Sequence, residues 1–468
     1  MSSFSGIRLA ESGLAAARAG MNVTGQNIAN QTTAGYTRQR VEQSPSSPAG
    51  QTSLWPSPLS VGGGVNVTGI ARLGDAVLDA RVRDALSTSG YWEARAAAST
   101  QTEAAMAEPT TEGLASNLDR FWAGWADLAN KPDAATAGIV LSNAQVLIGQ
   151  IVAGYDAVST RWSDLRAGVD RQVAGVNATA GQVALLNGQI REALQSGRTA
   201  NELIDQRNVL AQQLATAVGA TGTLETDGTL TVRVDGNALV SGDRARALVA
   251  GGPQDVSDGG RISLAWVDRP GEPIAAVSGA LGGTISVLAP AAEGGALAAA
   301  AAAYNTVAVN LAQTVNDLHS SGSRPDGVPG GDFFGLDPAI PAARGLSVLP
   351  TGIDELALAA GGAGPLDTTI ADAISRLGAS ATGPSASWST FVTSFGVHVA
   401  GDVQRADIAG TAAVASLTAQ QSNASVDGDE ETINLLTFQT AYQAAARVLT
   451  AMDEALDVLI NRTGLVGR

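Results

Sequence analysis

The sequence has no cysteine, a single lysine (Lys131) and only two histidines, His319 and His398, among 468 residues. Without cysteine there are no disulfides and no thiolate metal sites. Neither histidine has a second ligand or a carboxylate cluster nearby in sequence, so no metal site is expected and both read as surface or interface residues. Positive charge is deficient as well: a net charge of −16 argues against a nucleic-acid backbone as partner. Aromatics are scarce, and the alanine-rich run at 296–303 continues into Tyr304, Asn305 and Asn310, as a tightly packed helix does. No apolar segment approaches ~20 residues without polar breaks. The N-terminus lacks a basic stretch followed by an apolar run. The expectation is a soluble chain with no membrane span and no secretory signal peptide.

What is present is patterned most clearly at the two ends. Phe4, Ile7, Ala10, Leu14, Ala17, Met21, Thr24 and Ile28 follow steps of three and four, a narrow seam suited to helix-on-helix packing. Gly6, Gly13, Gly20 and Gly25 weaken that helix by up to ~1 kcal/mol each relative to alanine, so the segment needs a partner. Leu435, Phe438, Tyr442, Ala445, Leu449, Met452, Leu456 and Leu459 repeat the spacing with larger side chains. Asp427 or Asp429 is placed to cap this second helix, with Glu430 and Glu431 in its first turn and Arg462 and Gly464 marking its end. Charge differs between the ends. Residues 1–45 carry Arg8, Arg18, Arg38 and Arg40 against Glu11 and Glu42, whereas residues 426–468 carry seven acids against three arginines. Matching seams and opposite charge predict that the ends lie side by side. A narrow seam with an acidic flank points to partner helices rather than to a lipid surface.

Between the ends, residues 43–66 are rich in Ser, Pro and Gly and read as loop or extended chain. Helical patterns follow at 71–107, 111–131 and 134–218. Alternation around Leu230, Val232 and Val234, with Asp-Gly turns at 227–228 and 235–236, then marks strands that are expected to continue to about 288. Helix returns at 293–320, 366–378 and 386–424. The predicted fold class is mainly α with an inserted all-β domain, a long-helix body, and N- and C-terminal helices pairing as a coiled coil. The expected division is residues 1–42 with 426–468 as a terminal domain, 43–218 with 293–425 as a helical body, and 219–292 as a β-rich outer domain.

Motifs for chemistry are missing. "DGDEE" at 427–431 lacks the spacing and glycine of a calcium loop and is explained by helix capping. "GGG" at 62–64 has no following lysine and reads as a turn. The Asn-X-Ser/Thr triplets at Asn30, Asn66, Asn177 and Asn461 are attributed to chance in a Ser/Thr-rich chain. A secreted hydrolase would need a polar catalytic cluster in 219–290 or 325–400, and neither region offers one. No catalytic, cofactor-binding or metal residue is expected.

One polar stretch directly follows the first seam: "GQNIANQTTAGYTRQR", residues 25–40, with four amides before Gly35 and Tyr36 and no acid. Ile28 reads as the last large seam residue and Asn30 as a helix C-terminal residue tolerant of left-handed geometry. Gly35 lets the chain turn, Tyr36 anchors it, and Arg38 donates to acidic neighbours. Uncharged amides suit contacts because they hydrogen-bond without burying an unpaired charge.

The run "NIANQTTAGYTRQR" resembles the signature shared by bacterial flagellar rod, hook and hook-associated axial proteins. Further stretches match in order: "GGGVNVTGIARLGDAVLDARVR" at 62–83, "LASNLDRFWAGWADLANKPDAATA" at 114–137 and "ELIDQRNVLAQQLATAVGATGTLETDGTLTV" at 202–232. "GALGGTISVL" at 279–288, "GGDFFG" at 330–335 and the end from Asp429 to Arg462 complete the set. Taken together they resemble the family's hook-associated protein 1 branch. Hook protein or hook-associated protein 3 would be the alternatives within the family. The resemblance implies an extracellular structural role at the hook–filament junction, with no enzyme activity and no cofactor. Its implied partners are other copies of the chain, hook protein, hook-associated protein 3 and a flagellar export chaperone, with neither nucleic acid nor membrane among them. It also implies unfolded export through the flagellar type III apparatus without a cleaved signal. Transferred by position, the polymerisation interface is Phe4, Ile7, Leu14, Met21, Ile28, Asn30, Gly35, Tyr36 and Arg38. The chaperone-binding seam is Leu435, Phe438, Tyr442, Leu449, Met452, Leu456 and Leu459. Some relatives carry a further outer domain after "GGDFFG"; residues 336–400 look too short for one, so a reduced outer surface is expected.

Overall fold

The computed structural model describes residues 3–46, 63–274, 277–364 and 366–462, with the backbone alone for 3–5 and 462. Most of the Ser/Pro/Gly segment, the Phe4 side chain and Gly464 therefore lie outside the described residues. A first helix, α1 (Ser3–Ala29), leads into an antiparallel pair, β1 (Gln39–Pro45) and β2 (Val65–Arg72). Four helices follow: α2 (Ala76–Met106), α3 (Leu114–Asn130), α4 (Ala134–Gln195) and α5 (Asn201–Val218). Next come β3 (Thr221–Leu224), β4 (Leu230–Val234), β5 (Asn237–Ser241) and β6 (Arg244–Ala245), an antiparallel sheet in that order. A second sheet orders β7 (Leu248–Gly251), β8 (Ser263–Trp266) and β9 (Arg269–Pro273). After α6 (Gly279–Val287) and α7 (Ala296–Ser321) come the short elements β10 (Gly322–Ser323), β11 (Phe334–Leu336), α8 (Ala342–Gly345), β12 (Leu346–Val348) and β13 (Ala359–Ala360). The chain closes with α9 (Thr369–Arg376), α10 (Pro384–Ala424) and α11 (Gly428–Asp457), the last running into a π turn at Val458–Arg462. The fold is mainly helical with a few small sheets.

The spine is α4, 62 residues and roughly 93 Å long at 1.5 Å per residue. Asp133 starts it with a capping box: its carboxylate accepts from Ala135 and Thr136 N–H, and the Thr136 hydroxyl reaches back to the Asp133 N–H. The expected single helix over 134–218 is in fact two. Gly197 adopts φ +69°, and the Gly197 and Arg198 N–H groups bond to the Leu194 and Ala193 carbonyls, a Schellman ending that folds α5 back onto α4. By length and composition α4 is the one helix among the described residues apolar enough to cross a membrane. Val140, Ala144, Leu147 and Ile151 on its inner side are fully buried against the core.

A second correction concerns residues 279–288, expected to be strand. They form α6, because Leu281, Thr284 and Val287 recur at helical spacing and are all buried where α6 packs on α2 and α5. Buried residues of the two sheets, among them Val232, Leu239, Val240 and Leu264, join the same core as the helices. At the other end of that core the aromatics of α3 meet the "GGDFFG" stretch. Trp125 stands 5.3 Å from Phe333, and Phe121 5.8 Å from Phe334, between ring centroids.

Three asparagines on two helices, α4 and α7, hold strands with the same device. The amide of Asn187 on α4 donates to the Leu230 carbonyl and accepts its N–H at 2.9 Å each, as a neighbouring strand would. Asn177 pairs with Leu248, and Asn316 on α7 with Phe334, in the same way. One side chain thereby satisfies both main-chain groups of a strand residue that faces a helix. The Asn177 triplet, attributed to chance from sequence, thus has a structural use.

His319, expected at a surface or an interface, is buried within the fold. Its Nε2 accepts the Ala357 N–H at 2.9 Å, so Nδ1 carries the proton and donates to the Gly331 carbonyl at 2.6 Å. Burial pushes its pKa below the ordinary value, with nearby Arg324 adding to the effect against the Gly331 bond and Asp332. The unfolded chain takes up that proton first on acidification. Stability from neutral His319 is therefore full above pH ~6.5 and is lost as pH falls below it. Thermal melts should show a lower Tm at pH 5.5 than at pH 7.5, and His319→Gln should shrink that difference.

Candidate assembly joint

The N- and C-terminal helices lie against each other, and the small residues of α1 make the contact. A Cβ placed on Gly6 would stand 2.9 Å from Met452, and one on Gly13 would stand 3.5 Å from the Ala445 Cβ. One on Gly20 would overlap the Phe438 ring. Numbers rise along α1 as they fall along α11, so the helices are antiparallel, and each layer is seven residues from the next on both. The buried stripe of α1 is accordingly Ala10, Ala17, Thr24 and Asn27, with Ala16 and Val23 beside it.

That finding revises the expected seam. Ile7, Leu14 and Met21 are half-buried flanks, while Ile28 is exposed on the outer side. Larger side chains cannot occupy the centre line, because glycine there lets the backbones approach closely enough to receive Phe438 and Met452. On α11 Leu435, Phe438, Ala445, Leu449, Met452 and Leu456 are half-buried, and Tyr442 and Leu459 are exposed at 39% and 59%. Asp427 caps the helix, accepting from the Asp429 and Glu430 N–H groups. Glu431 is the only fully buried side chain of α11 among the described residues.

The fourth layer is polar and centres on Asn27. Its Nδ2 donates to Glu431 Oε2 at 3.0 Å and to the Gln39 carbonyl at 2.9 Å. Its Oδ1 accepts the Tyr36 hydroxyl at 2.9 Å and the Gln39 N–H at 3.0 Å. All four hydrogen-bonding positions of the amide are used. Asn27 treats Gln39 on β1 as Asn187 treats Leu230. Arg38 closes the group, with Nη2 2.7 Å from Glu431 Oε1 and Nη1 2.6 Å from Glu430 Oε2. Its N–H bonds to the Ala424 carbonyl, which ties the stretch to the end of α10. Burial, followed by the charges of Glu202, Asp205 and Glu431, pushes the Tyr36 pKa up to about 12, so the phenol stays protonated and donates.

Residues 31–37 also sit against the body. Thr37 N–H donates to Asp205 Oδ2 at 3.0 Å, and Arg72 Nε holds Asp205 Oδ1 at 2.5 Å. Glu202 Oε1 accepts from Gln26 and Gln39, each at 3.1 Å, and Asn201 donates to Gln39 Oε1 at the same distance. Asn208 and Gln420 both donate to Asp79. Gly35 has φ +79° and makes the expected turn. Asn30 is not left-handed; its amide donates to the Gln26 carbonyl and accepts from the Thr33 hydroxyl, closing the helix end locally. Sequence reading thus named Tyr36, Arg38 and Gly35 but passed over Asn27, Glu202, Asp205 and Glu431 as a group. The available signals were that Asn27 falls seven residues after Gly20, and that Asn201, Asp205, Asn208 and Gln212 form a polar stripe on α5.

A sequence model of the flagellar hook-associated protein FlgK helical domain matches residues 99–334, half of the chain. The chain belongs to this family. The resemblance read from its motifs is thereby confirmed at the level of the hook-associated branch. A second model, the flagellar basal body rod FlgEFG protein C-terminal region, matches residues 420–462, which comprise the end of α10 and α11. Flagellar hook-associated protein 1 of Bacillus subtilis (strain 168) is 28% identical over 509 aligned residues, covering the whole of both chains. The proteins of the same name from Salmonella typhimurium and Escherichia coli K12 are 28% identical over 339 residues, covering 70% of this chain and 59% and 60% of theirs. The chain therefore spans about 60% of the length of these two relatives. A solved structure, of the flagellar hook junction protein FlgK from Burkholderia pseudomallei, aligns with 24% identity and a TM-score of 0.46. That alignment covers 56% of this chain and 47% of the other. As a family member the chain is a structural, hook-associated protein of the bacterial flagellum.

Proposed function

We propose that this FlgK-family chain forms the zone between hook and filament and polymerises through its paired terminal helices. The observation that carries the assembly reading is the hydrogen bond from Asn27 to Glu431, two residues 404 positions apart. A chain that closes its two ends on one another, through layers seven residues apart, has the makings of an antiparallel coiled coil. In this reading residues 1–42 with 426–468 form the inner domain, 43–218 with 293–425 the body, and 219–292 the outer part. Copies of the chain, hook protein and hook-associated protein 3 are its neighbours. An export chaperone covers the Leu435–Leu459 face before export through the flagellar type III apparatus, and the role is structural rather than enzymatic. The C-terminal match is common ground with rod proteins, and the helical-domain match favours the hook-associated reading over the hook protein.

The test is complementation of a deletion strain, with the labelled protein imaged on isolated flagella. Label at the hook–filament boundary supports the proposal; label along the hook, or filaments still joined to hooks in the deletion strain, overturns it. Within that assay the joint is tested at Tyr36. Tyr36→Phe removes one bond to Asn27, worth about 1 kcal/mol, and should weaken motility mildly. Tyr36→Ala also removes the half-buried ring and should reduce assembly severely. Full assembly by Tyr36→Ala subunits would count against the role given to this residue.

A further inference from the structure

The four layers between α1 and α11 are not equivalent. Gly6 faces Met452, Gly13 faces Ala445 and Gly20 faces Phe438. Because the α1 member of each is glycine, these three layers accept one another's partners. Sliding α11 by seven residues, a displacement of roughly 10 Å, would set Ala445 against Gly6 and Phe438 against Gly13 with no clash at either centre. Apolar packing alone therefore leaves the pair free to settle in more than one register. The fourth layer does not share this tolerance. In the same slip the Glu431 carboxylate would face Gly20 and lose both Asn27 and Arg38. In the opposite slip Asn27 would face Phe438.

We infer that the Asn27–Glu431 layer is the register determinant of the terminal helix pair, and hence of where each terminal helix stands along the axis relative to the body. Glu431 specifies the register because it is buried and takes all its partners from one place, Asn27 on α1 and Arg38 just beyond it. A single polar layer in an otherwise apolar seam can select one alignment in this way, at some cost in stability. The same layer couples the register to the body, since Asn27 is also bonded to Gln39 and Tyr36, and Arg38 to Ala424. This inference rests on the helix pairing proposed above.

The absence of cysteine makes a clean test possible in the full-length chain. Gly13→Cys with Ala445→Cys would report the native register, because the two Cβ atoms would be 3.5 Å apart, within disulfide reach. Gly6→Cys with Ala445→Cys would report the slipped one. Each pair is oxidised and scored by peptide mass spectrometry, alone and combined with Glu431→Leu or Glu431→Gln. The native pair should close in the parent background and the slipped pair should not. With Glu431→Leu the slipped disulfide should rise by at least about tenfold relative to the native one. With Glu431→Gln, which can still accept from Asn27 or Arg38, the native pair should dominate. Failure of the native pair to close in the parent chain would overturn the helix pairing itself. Closure of the native pair with no gain of the slipped one in Glu431→Leu would overturn the register role and leave the pairing intact.

Discussion

Gly20→Leu should abolish the packing of α1 on α11 while leaving the body folded. A Cβ at residue 20 would overlap the Phe438 ring, and the remaining Leu atoms have no room between the two backbones. Two opposed effects decide the outcome. Replacing a mid-helix glycine raises intrinsic helix stability by up to ~1 kcal/mol. Overpacking a close contact costs typically 1–3 kcal/mol, and more where neither backbone can yield. Packing wins, because separating the helices at residue 20 also loosens the Gly13–Ala445 layer and the Asn27–Glu431 bond on either side. Gly20→Ala is the graded control and should weaken pairing without abolishing it. Hydrogen exchange of α1 and α11 should show lost protection in Gly20→Leu, with α4 unchanged, and cells carrying it should be non-motile. Normal motility of Gly20→Leu would mean that the close approach at Phe438 is not needed in the assembled state.

The second large effect is expected at Asp205→Ala. Asp205 is nearly buried, holds Arg72 at 2.5 Å and accepts the Thr37 N–H. Removing it leaves Arg72 with Asp79, 3.9 Å away, as its nearest acid, in a region that already contains buried Arg83 and Arg207. Burial lowers the pKa of Arg207 to about 10, with the charges of Arg72 and Arg83 adding to that effect. An uncompensated buried charge typically costs 3–5 kcal/mol. The partial exposure of Arg72 places the expected loss at the lower end of that range. Asp205→Asn keeps an acceptor for Thr37 and loses only the charge, so its cost should be smaller. Thermal melts of the two variants measure this directly. If both lose less than about 1 kcal/mol, the joint is not anchored through Asp205.

These two positions also show where the sequence was legible. The long helices α2, α3, α7, α10 and α11 are marked by sustained apolar periodicity and by caps such as Asp427, and each was expected within a few residues of its observed ends. Such signals are local: a side chain's spacing and its own cap suffice. The turn at Gly197 was hidden because a Ser-Gly pair inside a long apolar pattern is a weak break unless something packs the two arms together. Residues 279–288 were misread because a short run of small and apolar residues fits helix and strand alike, and only its burial against α2 and α5 decides the outcome. Within the joint, Tyr36 and Arg38 stood out as large or charged groups in a polar stretch. Asn27 did not, since one amide among several carries no mark of being buried.

By itself, the sequence determined the family, the two terminal seams and their opposite charge, each legible as a pattern along the chain. What it could not determine was how those seams meet. Glycines at 6, 13 and 20 count against a helix when helix propensity is summed residue by residue, yet in the folded chain they are the surface that receives Met452, Ala445 and Phe438. Propensity is a property of one segment, whereas close approach is a property of two. The same holds for Asn27, whose four bonds come from Tyr36 in the loop after α1, from β1 and from α11. Only the tertiary structure brings those three segments together, and only there does an uncharged amide become the residue best suited to the position.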